Sequence, residues 1–288
     1  MIHVIENEWI RLSANPEQGT SLSLINKKTG QEHMWVNDYL HLPNIMFPQC
    51  GSFVNDQYQY EGKTYTLTEH GFVRHSNLEF VGGDENKIVF RLDANDETRK
   101  MYPFEFRFEV TYSLVEKHVE ILYTVLNMDT KDMYYALGCH QGYATPIDPT
   151  SDPKDAYLEF EAPETADTYV LHGMMVDDEH KPFLNNEKEK SLAHMFDEGG
   201  IVLDVSDMKS RSITIRHKKS PYGTRVSFPD AKILILSALS GPCGFVCIEP
   251  WHGMFQRIGH DGNIKTREGM VTLAPGQIGQ MLQKIELI

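Results

Sequence analysis

The chain has 288 residues, 41% of them hydrophobic and 24% charged, with a formal net charge of -14. These are ordinary globular proportions, and a chain of this length can bury a large core. The acidic balance argues against a nucleic-acid partner, which needs clustered Lys and Arg against phosphate, and mildly against an anionic substrate.

The opening residues, Met1 to Glu8, have no cationic start and no long apolar run. No stretch approaches the roughly 18 apolar residues of a membrane span. The expectation is a soluble, acidic, cytoplasmic protein with no membrane partner, a monomer or a homodimer. Its four cysteines, Cys50, Cys139, Cys243 and Cys247, would then stay reduced. Cys243 and Cys247 are spaced too widely for a C-x-x-C redox or zinc motif, and Cys243-Gly244-Phe245-Val246-Cys247 reads as buried strand.

Taken in chain order, period-2 alternation dominates and helix signals are scarce. Thr64–Leu67 reads as a strand leading into Glu69-His70-Gly71-Phe72-Val73-Arg74-His75. A turn cluster at Gly82–Asn86 precedes the strand Lys87–Leu92. Asp93-Ala94-Asn95-Asp96 lacks the rest of a calcium loop. Phe104–Tyr112 alternates apolar with polar, and His118–Val125 follows after a short break. The apolar strand Tyr134–Leu137 leads into Gly138-Cys139-His140-Gln141-Gly142-Tyr143, and Pro149–Pro153 is a turn cluster. The polar stretch from Thr165 to Lys190 shows no pattern and reads as long loops across the mouth of the fold. Ser212–Arg216, Lys232–Ser237 and Gln280–Leu287 resume the alternation. Many short strands separated by turns predict one all-β domain, residues 1–288, built as a large antiparallel sandwich.

Three segments interrupt this pattern with chemistry-bearing side chains. His70, Arg74 and His75 crowd one tight loop beside Gly71. His140 lies between two glycines that let backbone pass close to another strand or a ligand. Glu249 ends an apolar run, where an unpaired charge is costly, and is followed by Pro250, Trp251 and His252. Each segment alone is as readily a turn or a core residue. Together they supply a base, an acid, hydroxyl-binding donors and an aromatic face, the mixture that acid–base chemistry on a neutral polyol needs. There is no nucleophile elbow, P-loop or dinucleotide fingerprint, and no His/Glu cluster has zincin spacing. No cofactor and no metal are expected.

These segments resemble the aldose 1-epimerase (galactose mutarotase-like) family. His70-Gly71-Phe72-Val73-Arg74 is similar to its H-G-x-x-R loop, Gly138–Tyr143 to its G-x-H-P-x-F segment, and Ile248–Gly253 to its E-P-W-x-G segment. Lys265–Gly269 and Leu273–Gly276 resemble the closing region, so the ordered set runs over nearly the whole chain. The resemblance implies the family's antiparallel sandwich and mutarotation of a free aldohexose. Glu249 would be the general base and His140 the general acid. His70 and Arg74 would hold hydroxyls or ring-oxygen charge, and Trp251 would offer an apolar face. The sequence departs from the pattern at Gln141, where proline is common. It departs again at Gly199, where related chains place an aspartate; Asp197 is the nearest substitute. A hexose-6-phosphate 1-epimerase, with Arg74 and Lys63 toward the phosphate, and a non-catalytic sugar-binding protein are the alternatives.

Overall fold

A computed structural model of the chain describes residues 1–36, 45–145, 147–148, 150–238 and 244–288. The alternating stretches become strands because one side of each is apolar. In Phe106–Val115 and His118–Asn127 nearly every second side chain is buried, and the two pair antiparallel with Val125 opposite Phe108 and Val119 opposite Leu114. They sit inside a ten-stranded sheet that also holds Glu79–Asp84, Lys87–Asp93, Ile278–Leu287, Ser220–Ser227, Ser212–His217 and Ala156–His172. Nearly all its pairings are antiparallel; the short strand Gln256–Arg257 at one edge runs parallel to its neighbour, Met175–Ser191.

A second sheet of six strands packs against the first. It runs Ile201–Asp204, Ile233–Ser237, Phe245–Trp251, Gly138–Cys139 and Ile45–Met46, with Gly142–Ala144 also paired to Phe245–Trp251. All seven residues of Phe245–Trp251 are buried, so this strand is covered on both faces. Val246 and Ile248, with Leu234 and Leu236 of the neighbouring strand, join the main core between the sheets. Trp251, with Ile233 and Ile235, faces a smaller apolar cluster containing Met46, Cys50 and Phe255. Cys247 and Glu249 share the face of Trp251, since alternate strand residues point the same way. Cys243 lies outside the described residues.

The segment read as loops from Thr165 to Lys190 is instead the longest hairpin of the fold, Ala156–His172 against Met175–Ser191. Its pairing is interrupted by register shifts at four places. Each shift puts successive residues out of phase with a fixed period of two, so the apolar positions do not line up along the sequence although the backbone ladder persists. One helix also escaped the sequence reading, Asp96–Met101, set by an Asn95–Thr98 capping box. No described helix is long and apolar enough to cross a membrane.

A three-stranded sheet, His3–Glu6, Ile10–Asn15 and Ser21–Asn26, joins the sandwich near His33. His33 is fully buried; its Nδ1 meets Thr224 Oγ1 at 2.9 Å and its Nε2 has no partner. Burial pushes its pKa down from 6.5 to about 4. Because the folded value lies below the unfolded one, the proton favours the unfolded chain. The stability owed to neutral His33 is therefore complete above pH 6.5 and is lost as pH falls toward 4. Replacing His33 with Gln should flatten the stability–pH curve in that window by about 1.4 kcal/mol per pH unit, one proton's worth. Denaturant melts at several pH values read the slope, and a slope equal to the parent's would show that His33 is not titrating with folding.

Candidate active site

Glu249 lies inside a strand, two residues before its end, and is 2% exposed. A carboxylate there must be met by donors. Ser237, on the neighbouring strand, donates its hydroxyl to Glu249 Oε1 at 2.7 Å. His140 Nε2 stands 3.5 Å from the same oxygen. Burial raises the Glu249 pKa, while His140, Ser237, Trp251 and Arg74 pull it back, in that order. The Trp251 indole N–H influences the carboxylate without meeting full hydrogen-bond geometry, since Nε1 has no bonded partner.

The loop from Glu69 to His75 closes over this carboxylate. His70 has φ +61 and Gly71 φ +75. A Cβ on Gly71 would stand 2.2 Å from the carbonyl oxygen of Phe47, so only glycine fits. The Gly51 N–H donates to His70 Nδ1 at 3.0 Å, which leaves the proton on Nε2, 3.1 Å from Glu69 Oε1. Burial is the largest influence on His70 and lowers its pKa to about 4, so it is a neutral donor at pH 7. Its ring stands edge-on to those of His140 and Trp251, with centroids 5.7 Å away in both cases. Arg74, on the short 3-10 turn Val73–His75, is half-buried; burial lowers its pKa while Glu69 and Glu249 raise it.

The structure thus gathers His70, Arg74, His140, Glu249 and Trp251 at one place. Trp251 is 1% exposed and backs the imidazoles. Asp197 sits on an exposed turn, where its carboxylate pairs with His194 Nδ1 at 3.0 Å. Gln141, at the proline position of the resembling motif, points into the core. Its Nε2 donates to Tyr123 OH at 2.9 Å, in a buried chain continuing through Gln283 to Tyr143. The turn that presents His140 is therefore anchored by side-chain hydrogen bonds where a proline would stiffen it.

Sequence reasoning missed Glu69, Ser237, Gln49 and Arg267 as site components. Arg267 is fully buried without a carboxylate partner among the described residues, and burial lowers its pKa to about 10. It donates to Gln49 Oε1, Cys50 O and Met254 O at 2.7, 2.6 and 3.1 Å, and lies over the Phe53 ring. Gln49 in turn donates to the carbonyls of Leu67 and Thr68, at the root of the His70 loop. The signal available was weak: one arginine in the Lys265–Gly269 stretch, and one serine closing an apolar strand.

Two buried donors near Glu249, Arg74 Nε and Trp251 Nε1, have no hydrogen-bond partner, and neither has the buried Nδ1 of His140. Unspent buried donors beside a buried carboxylate and a second imidazole mark a ligand site. The profile of the family described as aldose 1-epimerase matches residues 13–268. The chain belongs to the aldose 1-epimerase family. The Protein LacX of Lactococcus lactis subsp. lactis, in its chromosomal form, is 31% identical over 281 residues, covering 93% of each chain. A galactose mutarotase related enzyme from Lactobacillus acidophilus superposes with TM-score 0.92 at 27% identity, over 100% of this chain and 97% of that one. A galactose mutarotase-like protein from Lactobacillus casei ATCC 334 gives 0.89 at 26% identity, over 100% of both. Membership in this epimerase family fits a site rich in proton donors and acceptors.

The Ser237 hydroxyl stabilises the charged form of Glu249, so Ser237→Ala should move the Glu249 titration to higher pH. Difference infrared spectroscopy of the carboxyl band reads this directly, and an unmoved titration would remove Ser237 from the site's electrostatics.

Proposed function

We propose that the protein interconverts the α and β anomers of a free aldohexose without a cofactor. The observation that carries this is the Glu249–His140 pair, 3.5 Å apart, in a buried setting with unspent donors. Opening a pyranose ring needs one proton removed from the anomeric hydroxyl and one delivered to the ring oxygen. Glu249 takes the first and His140, as imidazolium, gives the second. The C1–O5 bond breaks as the C1 carbonyl forms, C1–C2 rotates, and closure with the roles reversed yields the other anomer. Burial that raises the Glu249 pKa makes it a stronger base than a surface carboxylate. The separation between the two groups is long for a direct hydrogen bond, as is common before a substrate draws catalytic groups together.

Neutral His70 and the Arg74 guanidinium supply hydrogen bonds to hydroxyls and to charge developing on the ring oxygen. A neutral sugar suits a site whose cations already face carboxylates, Arg74 and His140 toward Glu69 and Glu249. Lys63 is exposed at the start of the strand Lys63–Thr66, which pairs with Gln57–Tyr60.

Turnover should be higher in kcat/KM for a free hexose than for its 6-phosphate; the reverse order would point to the phosphate ester as substrate. Glu249→Gln and His140→Asn should each lower kcat by roughly 10²-fold or more, the usual worth of one positioned acid or base. The double variant should be little worse than the poorer single, because residues acting as a unit are non-additive. Spontaneous mutarotation is subtracted through the dependence on enzyme concentration, and melts confirm folding. Folded variants with near-parent turnover would remove Glu249 and His140 as base and acid, and a parent without turnover would leave a sugar-binding role in first place. Arg74→Ala should lose at least ~1.5 kcal/mol in kcat/KM, the size of a charge-assisted hydrogen bond. Unchanged kinetics would assign Arg74 to the turn alone.

A further inference from the structure

We infer that His140, Cys247 and Glu249 form a binding site for one divalent cation of intermediate softness, such as Zn²⁺, and that the ion switches the site off. Cys247 takes no part in the proton transfers proposed above, yet it lies two residues from Glu249 on the same strand face. Its sulfur, an imidazole nitrogen of His140 and a carboxylate oxygen of Glu249 all lie within 4.8 Å of one another. Ligand atoms around a tetrahedral zinc, with bonds of about 2.0–2.3 Å, are roughly 3.3–3.8 Å apart. Closure therefore asks for a contraction of about 1.5 Å at most. His140 is the ligand with room to move, since its side chain is 22% exposed while Glu249 is 2% and Cys247 1% exposed.

The donor set suits the ion. Nitrogen, sulfur and oxygen ligands together favour zinc and its analogues over magnesium or calcium, which prefer all-oxygen sites. A thiolate and a carboxylate match the double positive charge, so the loaded site buries no net charge. Cys247 gives up its thiol proton to solvent on ligation, and binding therefore weakens as pH falls. Three protein ligands leave a fourth position for water.

The ion occupies the lone pair of the base and the nitrogen of the acid at once. That it blocks turnover rests on the proposed mutarotation; that it binds does not. A second cluster, His172, Asp177 and Glu179 at the tip of the long hairpin, is half-exposed and contains no sulfur. It has no comparable match to a soft ion.

Chelator-stripped protein titrated with Co²⁺ tests the site independently of activity. One equivalent should give tetrahedral d–d bands and a near-ultraviolet thiolate-to-cobalt band, both removed by Zn²⁺ and unaffected by Mg²⁺. Cys247→Ala and Cys247→Ser should abolish the thiolate band and weaken Zn²⁺ binding by at least ~10²-fold, beyond the 10–100-fold typical of losing an outer partner. Cys50→Ala, a control thiol in the neighbouring apolar cluster, should keep the band. In turnover assays Zn²⁺ should inhibit the parent competitively with sugar, a chelator should restore the rate, and each Cys247 variant should resist in proportion to its weakened binding. Absence of a thiolate band in the parent, or its survival in both Cys247 variants, overturns the site. A cobalt band with no inhibition, or activation by the metal, overturns the switch. A metal-free protein that binds cobalt as described but turns over no aldose rejects the proposed activity and leaves the metal site standing.

Discussion

The arrangement depends on one carboxylate placed where carboxylates are expensive. Glu249 lies in a strand covered on both faces, and taking its charge out of water costs several kcal/mol before any partner is counted. The surrounding groups are the offset. Ser237 donates from the next strand, Arg74 brings positive charge, and the His140 imidazole and the Trp251 indole also favour the charged carboxylate. None of them fully satisfies both oxygens. The carboxyl remains a better base than its surface counterparts, and the unspent donors stay available to a ligand. A structural ion pair would have been completed with a bidentate arginine; this site stops short of that.

The loop above the carboxylate is held by a second buried charge, which does no chemistry. Arg267 has no acid partner among the described residues and spends its donors on Gln49 and on two carbonyls, one beside Gly51 and one beyond Trp251. Through Gln49 it reaches the carbonyls that root the His70 loop. His70 then has its Nδ1 occupied by the Gly51 N–H. The tautomer is fixed by the backbone, so His70 offers a donor, while the imidazole of His140 is the less buried of the two. Two histidines with centroids 5.7 Å apart are separated in role by burial and by one hydrogen bond.

The strands were legible because their burial is one-sided. Phe106–Val115 and His118–Asn127 carry period two in plain view. The 156–191 hairpin was not, because bulges shift its phase and much of its length is solvated. The gathering of Glu249, His140 and the His70–Arg74 loop was legible, since those side chains are costly inside an apolar pattern. Ser237 and Gln49 are small or neutral and cost nothing visible in sequence. Arg267 declares itself only when its burial is known. Asp197, an acid near the expected place in sequence, pairs in space with an exposed histidine.

A single period converts this strand into a site. From Phe245 onward, alternate residues present an aromatic ring stacked on Trp35 with centroids 4.0 Å apart, then the Cys247 thiol, the Glu249 carboxylate and the Trp251 indole. The residues between them, Val246 and Ile248, belong to the main core. A slip of one residue would exchange the two sets, putting Ile248 where the base stands and a charge in the middle of the sandwich. The register is held where Gly138 pairs with Trp251. A Cβ on Gly138 would come within 2.7 Å of the indole, so that crossing admits the ring only against glycine. The glycine ahead of His140 and the tryptophan after Glu249 are thus the two halves of one contact. That contact fixes His140 and Glu249 in register with each other, on segments more than a hundred residues apart in sequence.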